Sequence, residues 1–242
     1  MKTLAIDTSG KSAGLAILSD GRILYELFMN TGSNHSVMLL PEIDHALNVL
    51  NLDLKDFDLF VATTGPGSFT GLRIGLSTLK GFALSHNKPL VGVSTLEALA
   101  WNINSENRII CPLLNGPMDE IYTAIYRYHP LDGYERLLEE QITTIPKLVA
   151  HITEPVIFVG DGVVRWESYL RNQLLESALF APQHLTICRP SIVAGIGIKK
   201  YQHNLTEDML SLRPTYLRAS EAEIKNPDHK QNTCADSLSW HG

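Results

Sequence analysis

Apolar and polar positions in the first hundred residues predict strands that alternate with helices. Short apolar runs predict strands at 3–7, 13–19, 23–28, 59–62 and 90–93. Asp20-Gly21 predicts a hairpin turn between the second and third strands. Apolar residues at helical spacing predict helices over 36–50 and 76–84, and Ser94-Thr95-Leu96-Glu97 predicts a capping box that begins a short helix. This half of the chain therefore has the pattern of one α/β lobe.

A similar pattern begins again after Asn104. It predicts strands at 109–114, 121–128, 141–144 and 156–159, and helices at 146–151, 166–175 and 191–201. The repeated order indicates duplicated lobes over 1–103 and 104–219, and we expect the last helix to pack back between them. Residues 220–242 are polar and lack a period, which predicts a disordered tail.

Composition and charge exclude several classes of protein. No apolar run approaches the roughly 20 residues that span a bilayer, and the first residues are interpreted as a strand, so we expect no membrane association. Cys111, Cys188 and Cys234 form no CxxC pair, which argues against a disulfide framework and fits a reducing cytoplasm. The net charge of −6 disfavours unaided binding to nucleic acid.

A glycine-rich segment, Gly65-Pro66-Gly67-Ser68-Phe69-Thr70-Gly71-Leu72-Arg73-Ile74-Gly75, lies between a predicted strand and a predicted helix. It has two interpretations: a turn that lets the helix pack closely, or a loop whose N–H groups bind an anion at the helix N-terminus. Phe69 takes the place of the serine in a G-x-S-x-G elbow. Ser68 and Thr70 are therefore predicted as turn or N-cap residues.

This segment, Ile6-Asp7-Thr8-Ser9, the run from Pro89 to Glu97 and the run from Leu212 to Arg218 together resemble the TsaB (YeaZ) family over about residues 1–220. That family assists synthesis of threonylcarbamoyladenosine (t6A) at adenosine 37 of tRNA. The resemblance implies an α/β fold of the duplicated, two-lobe actin/Hsp70/sugar-kinase-like (ASKHA) type. The turn at 115–119 departs from the family pattern, which leaves the role of that turn open.

The resemblance extends to the catalytic relative TsaD, in which the matching strand leads to a metal-binding His-x-x-x-His pair. Thr95 and Leu99 occupy those two positions here. Leucine cannot ligate a metal, and one threonine is a poor ligand for a first-row metal. We therefore expect no metal site and no catalytic activity in this chain.

The resemblance also places nucleotide phosphate and magnesium near the first hairpin. The candidate residues for this weak site are Asp7, Thr8, Ser9, Gly65, Gly67 and Ser68. The resemblance implies no required cofactor, and leaves open weak binding of ATP or ADP with Mg²⁺ at a lobe or subunit interface. The other interpretation is a turn whose side chains satisfy the local backbone.

The implied role is a scaffold that pairs with TsaD in a heterodimer, helps to recruit the ATPase TsaE, and contacts tRNA only indirectly. Alone, the chain is expected to form a homodimer through the same surface. The implied partner interface on the two first-lobe helices comprises His35, Met38, Leu39, Glu42, Ile43, Ala46, Gly71, Leu72, Arg73, Gly75, Leu76, Thr78, Leu79 and Phe82. The alternative is an ASKHA-fold small-molecule kinase or ATPase that acts alone.

Overall fold

The computed structural model describes residues 1–30, 35–131, 133–206 and 208–217, so the predicted tail at 220–242 lies outside the described residues. The strands are β1 (Lys2–Asp7), β2 (Ala13–Ser19), β3 (Arg22–Met29), β4 (Leu59–Gly65), β5 (Leu90–Ser94), β6 (Ile109–Asn115), β7 (Glu120–His129), β8 (Gly133–Thr144), β9 (Val156–Val159) and β10 (Ala178–Phe180). The helices are α1 (His35–Leu50), α2 (Phe69–His86), α3 (Thr95–Ala100), α4 (Ile145–Val149), α5 (Gly162–Leu174) and α6 (Pro190–Gln202).

The two halves of the chain repeat one topology. The first sheet has the order β3-β2-β1-β4-β5, and the second has the equivalent order β8-β7-β6-β9-β10. In each sheet the first three strands form an antiparallel meander, and the last two run parallel to the central strand. This repeat confirms the predicted duplicated two-lobe ASKHA-type fold.

Three apolar clusters divide the molecule into layers. One cluster packs α1 and α2 on the outer face of the first sheet, and another packs α4 and α5 on the outer face of the second sheet. The third cluster contains residues of both sheets and of α3 and α6, including Val61, Leu99, Ala124 and Val193. These two helices therefore join the lobes through a shared core.

The helix α6 follows the second lobe in sequence but packs on the first lobe. α6 contacts all five strands of the first sheet. A Cβ atom built on Gly197 would lie 2.4 Å from Val61 Cγ1, so the absence of a side chain lets α6 approach β4. Arg189 Nη2 also donates to Glu26 Oε2 of β3 at 2.5 Å. The end of the second half thus completes the core of the first.

Some element boundaries differ from the predicted ones. α2 begins at Phe69 and not at 76, because Ser68 Oγ accepts from Gly71 N and caps the helix inside the glycine-rich segment. α5 likewise begins at Gly162 and not at 166. Only 141–144 of β8 was predicted, since its outer part is charged and half-exposed, and the three-residue β10 was missed.

None of the helices in the described part of the chain has the length and apolarity that a bilayer-spanning segment requires.

Candidate functional site

The carboxylate of Asp7 lies buried at the end of β1. Its Oδ1 atom accepts hydrogen bonds from Ser9 N (3.0 Å), Ser9 Oγ (2.6 Å) and Thr63 Oγ1 (2.8 Å). Burial raises the pKa of Asp7 above its ordinary value, and hydrogen bonds from Ser9, Thr63 and the Cys188 thiol oppose that rise. The carboxylate therefore organises the turn that follows β1, with its donors supplied by the chain itself.

The turn after β1 is in close contact with α2. Thr8 Oγ1 donates to Gly71 O at 2.7 Å. A Cβ atom built on Gly71 would lie 2.1 Å from Thr8 O, and one built on Gly75 would lie 2.4 Å from Thr8 Oγ1. Since real Cβ atoms do not approach this closely, the two glycines are what allow the helix to pack against the turn.

The loop that precedes α2 packs against the same turn. Gly67 has a φ of +158°, and a Cβ atom there would lie 2.1 Å from Ser9 O. Ser68 N donates to that oxygen at 2.6 Å, while Ser68 Oγ accepts from Gly71 N at 3.2 Å. At least two N–H groups of the loop, those of Ser68 and Gly71, are thus bonded within the chain and do not face an open anion site.

All six predicted nucleotide-site residues are therefore neighbours, but they contact one another. The structure uses Asp7, Thr8 and Ser9 as partners for the backbone and for α2, and Gly65 has a φ of +114° beside Thr215 O. This geometry favours the packing interpretation of the glycine-rich segment over the anion-binding interpretation.

The two positions that we expect from the sequence to match the metal-binding histidines of TsaD, Thr95 and Leu99, lie at the core between the sheets. Both residues are buried, and Thr95 Oγ1 has no hydrogen-bond partner among the described residues. Within the described residues, no group of three or more His, Cys, Asp or Glu side chains could hold a metal ion. A threonine and a leucine do not form a ligand set for a divalent metal.

The turn after β9 has a structural role in the second lobe. Asp161 Oδ1 accepts from Asn115 N at 3.1 Å, and a Cβ atom on Gly160 would lie 2.3 Å from Leu113 O. Asp161 is an acid of the second lobe, where a kinase or ATPase that acts alone would need a catalytic carboxylate. Its contacts are those of a strand-to-helix turn.

Most of the predicted partner-interface residues belong to the core of their own lobe. The buried ones, whose positions face the first sheet or the turn after β1, are Leu39, Ile43, Ala46, Gly71, Leu72, Gly75, Leu76 and Leu79. Met38, Glu42, Thr78 and Phe82 are half-buried, Arg73 is exposed, and the side chain of His35 lies outside the described residues. These eight residues are covered by their own lobe in this structure, and their assignment to a partner interface stays a prediction.

The surface that α2 presents to solvent is formed mainly by small, uncharged residues. We call this surface the α2 face and define it by Thr70, Ser77, Gly81, Leu84 and Ser85, all of which are exposed. Leu84 is 54% exposed, and a Cβ atom on Gly81 would have nothing within 4 Å. On α1, Leu40 and Val49 are 53% and 60% exposed. Apolar and small side chains of α1 and α2 are therefore exposed on the outer side of the first lobe.

The segment 208–217 returns to α2, a contact that the sequence did not indicate. Thr215 N donates to Thr64 O at 2.6 Å, and Arg73 Nε donates to Tyr216 Oη at 2.9 Å. The rings of Phe69 and Tyr216 stack with centroids 5.0 Å apart. The segment lacks periodicity, so its sequence carried no signal of where it docks.

Comparison with known proteins supplies the family. The family model TsaD, described as tRNA N6-adenosine threonylcarbamoyltransferase, matches residues 29–226. The tRNA threonylcarbamoyladenosine biosynthesis protein TsaB of Bacillus subtilis is 33% identical over 236 residues, which cover 93% of this chain and 97% of that protein. The protein of the same name from Escherichia coli is 34% identical and covers 94% of this chain and 99% of its own length. The chain belongs to the TsaB family.

Solved structures agree with that membership at the level of the fold. YeaZ from Pseudomonas aeruginosa superposes with a TM-score of 0.73 at 21% identity, covering 89% of this chain and 99% of YeaZ.

A relative by sequence, the tRNA N6-adenosine threonylcarbamoyltransferase of Kosmotoga olearia, is 35% identical over 111 residues, which are 40% of this chain and 34% of that enzyme. The similarity to the two TsaB proteins therefore extends over more than nine-tenths of the chain, whereas the transferase of Kosmotoga olearia matches less than half of it.

Proposed function

We propose that this chain takes part in the formation of t6A in tRNA as the non-catalytic partner of TsaD, and that the pair recruits the ATPase TsaE. Membership of the TsaB family, whose relatives are named as t6A biosynthesis proteins, supports a place in this process. The absence of catalysis in this chain is supported by Thr95 and Leu99, which are buried and cannot bind the metal of the transferase. The partner-binding role rests on the surface of α2.

The observation that carries this role is the uncharged α2 face. A helix that only covers its own sheet normally carries charged residues toward solvent. α2 already buries Leu72, Leu76 and Leu79 against its sheet. Yet Arg73 is the one charged residue that it exposes, and its α2 face carries threonine, serine, glycine and leucine. Charged residues are depleted at the centre of protein interfaces, and small residues let another helix approach closely. The surface therefore has the character of a helix–helix contact.

The experiment places one charge in the α2 face. Gly81→Glu should fold normally, because an added Cβ meets nothing within 4 Å, and it should weaken binding to TsaD at least about tenfold, since a buried unpaired carboxylate costs several kcal/mol. Affinity can be measured by calorimetry, and self-association of the chain alone by sedimentation. The same substitution should also shift any homodimer toward monomer, because both contacts use one surface.

Gly195→Glu is the matched control. Gly195 lies on α6, is a helical glycine, and likewise has nothing within 4 Å of an added Cβ. It is expected to bind TsaD as the unsubstituted chain does. Equal affinities for Gly81→Glu and Gly195→Glu would show that the α2 face is not the interface. Leu76→Glu would be a poor test, because Leu76 is buried and a charge there would act on folding.

A further inference from the structure

A groove runs between α2 and the segment 208–217. It encloses about 470 Å³ and lies beside the α2 face, with Ser77 common to both. Its walls combine three cationic residues with apolar and aromatic ones, and include Arg73, Lys80, Arg213, Leu212 and Tyr216. Among the described residues that line it none is acidic, although the whole protein has a net charge of −6.

The three cations have not been neutralised by carboxylates. Arg73 lies over the Phe69 ring at 3.8 Å and donates from Nε to Tyr216 Oη, while Arg213 Nη1 donates to two backbone carbonyls. Over the described ranges, neither arginine nor Lys80 forms an ion pair with an acid. The guanidinium groups are thus held in place by aromatic and backbone contacts that leave their charge available.

The pKa of Lys80 is changed by burial and by two neighbouring charged residues. Desolvation lowers it first, the positive charge of Arg213 lowers it further, and the carboxylate of Asp208 acts in the opposite direction. The net direction is downward, so Asp208 does not fully compensate. An anion in the groove would relieve the repulsion between Lys80 and Arg213.

Exposed aromatic rings lie beside the cations. Phe69 and Tyr216 stack on each other and are 38% and 37% exposed. Tyr216 lines the groove itself, whereas Phe69 supports it from outside and carries Arg73 over its ring. A cationic groove with adjacent aromatic surfaces is the combination that binds single-stranded nucleic acid, because phosphates pair with the cations and bases stack on the rings. A carboxylate on a partner protein would use the cations but would have no need of the rings.

We propose that this groove binds the phosphodiester backbone of a single-stranded segment of the tRNA while the chain is paired with TsaD. The inference rests on the proposed function and adds to it a direct RNA contact, where the sequence led us to expect only an indirect one. The overall charge of −6 opposes RNA binding by the chain alone, so the contact strengthens binding that the pair provides. The recognition is by charge and stacking, and carries little sequence preference.

The test uses the assembled pair with TsaD and a fluorescein-labelled, unmodified tRNA transcript, followed by fluorescence anisotropy from about 50 to about 200 mM salt. Lys80→Gln should raise the Kd about threefold for the lost phosphate contact, and should reduce the slope of log affinity against log salt by about 0.7–0.9. Lys80→Arg should restore both. Lys147→Gln, an exposed residue of α4 with the same change in charge, is the control and should change neither.

Two further readouts identify the source of any effect. Size-exclusion chromatography of each pair measures association with TsaD, and competition with ATP or inorganic phosphate measures binding of free phosphate groups. Equal RNA affinities and slopes for Lys80→Gln and Lys147→Gln, in pairs that form normally, would overturn the RNA inference alone. The RNA inference would also be overturned if Lys80→Gln weakened only ATP binding or only association with TsaD. Failure of the unsubstituted chains to associate would overturn the proposed function and this inference together.

Discussion

Single residues decide how the turn after β1 meets α2. Gly71 and Gly75 remove the side chains that would collide with Thr8, and Asp7 gathers three hydrogen bonds on one carboxylate oxygen. The sequence assigned Gly71 and Gly75 to the partner interface, and it placed Asp7 and Thr8 in a possible phosphate site with the glycine-rich loop, because glycines and short polar side chains are typical both of tight packing and of phosphate loops. It could not choose between the two, since the choice depends on whether Ser68 N faces solvent or Ser9 O.

The buried carboxylate of Asp7 predicts a pH dependence of stability. Its pKa is raised above 3.8 in the folded chain, so the folded state binds this proton more tightly than the unfolded state does. The contribution to stability is therefore complete below the unfolded pKa and is lost as pH rises through the folded pKa. Asp7→Asn, which keeps an acceptor oxygen but has no charge, should escape this loss.

Urea unfolding of both proteins between about pH 4 and about pH 8 measures the effect. The variant should gain stability relative to the unsubstituted chain as pH rises. The gain should be about 1.4 kcal/mol for each tenfold difference in proton affinity between the two states of Asp7. A stability difference that does not change with pH would contradict the assignment.

At the scale of elements, the apolar pattern predicted most strands and helices correctly, but it did not predict contacts between segments that are distant in sequence. β2 and β9 have the predicted bounds, because a buried strand carries an uninterrupted apolar run. The start of α2 was misplaced because glycines, which weaken an isolated helix, are required here by the contact with Thr8. The docking of 208–217 on α2 depends on tertiary contacts that no local pattern encodes.

The position of α6 on the first sheet can be tested with two glycines of one helix. Gly197→Ala would place a methyl group 2.4 Å from Val61 Cγ1 in a fully buried site, and should lower the free energy of unfolding by roughly 1–3 kcal/mol. Gly195→Ala meets nothing within 4 Å and should raise it by about 0.5–1 kcal/mol, the usual gain for alanine in a helix. Chemical denaturation of the two variants measures both values. Equal shifts would show that α6 does not approach β4 closely at Gly197.

At the scale of the whole molecule, duplication gives two lobes that share a central core. The inner helices α3 and α6 join the sheets, whereas α1 and α2 form an outer layer on the first lobe only. The repeated order of strands and helices along the chain was visible in the sequence, but most residues predicted for the partner surface, such as Leu39 and Leu79, are buried against their own lobe. Helical spacing identifies an apolar stripe without telling whether the chain's own sheet or a partner covers it.

We propose that the chain enables t6A formation without catalysing a step itself. The most direct measurement is t6A formation on tRNA in a mixture of TsaD, TsaE, ATP and a source of threonylcarbamoyl-adenylate, with and without this protein. We predict product only when the chain is present, and no ATP turnover by the chain alone. Equal product in both mixtures, or ATP turnover by the purified chain, would contradict the account and favour an ATPase or kinase that acts alone.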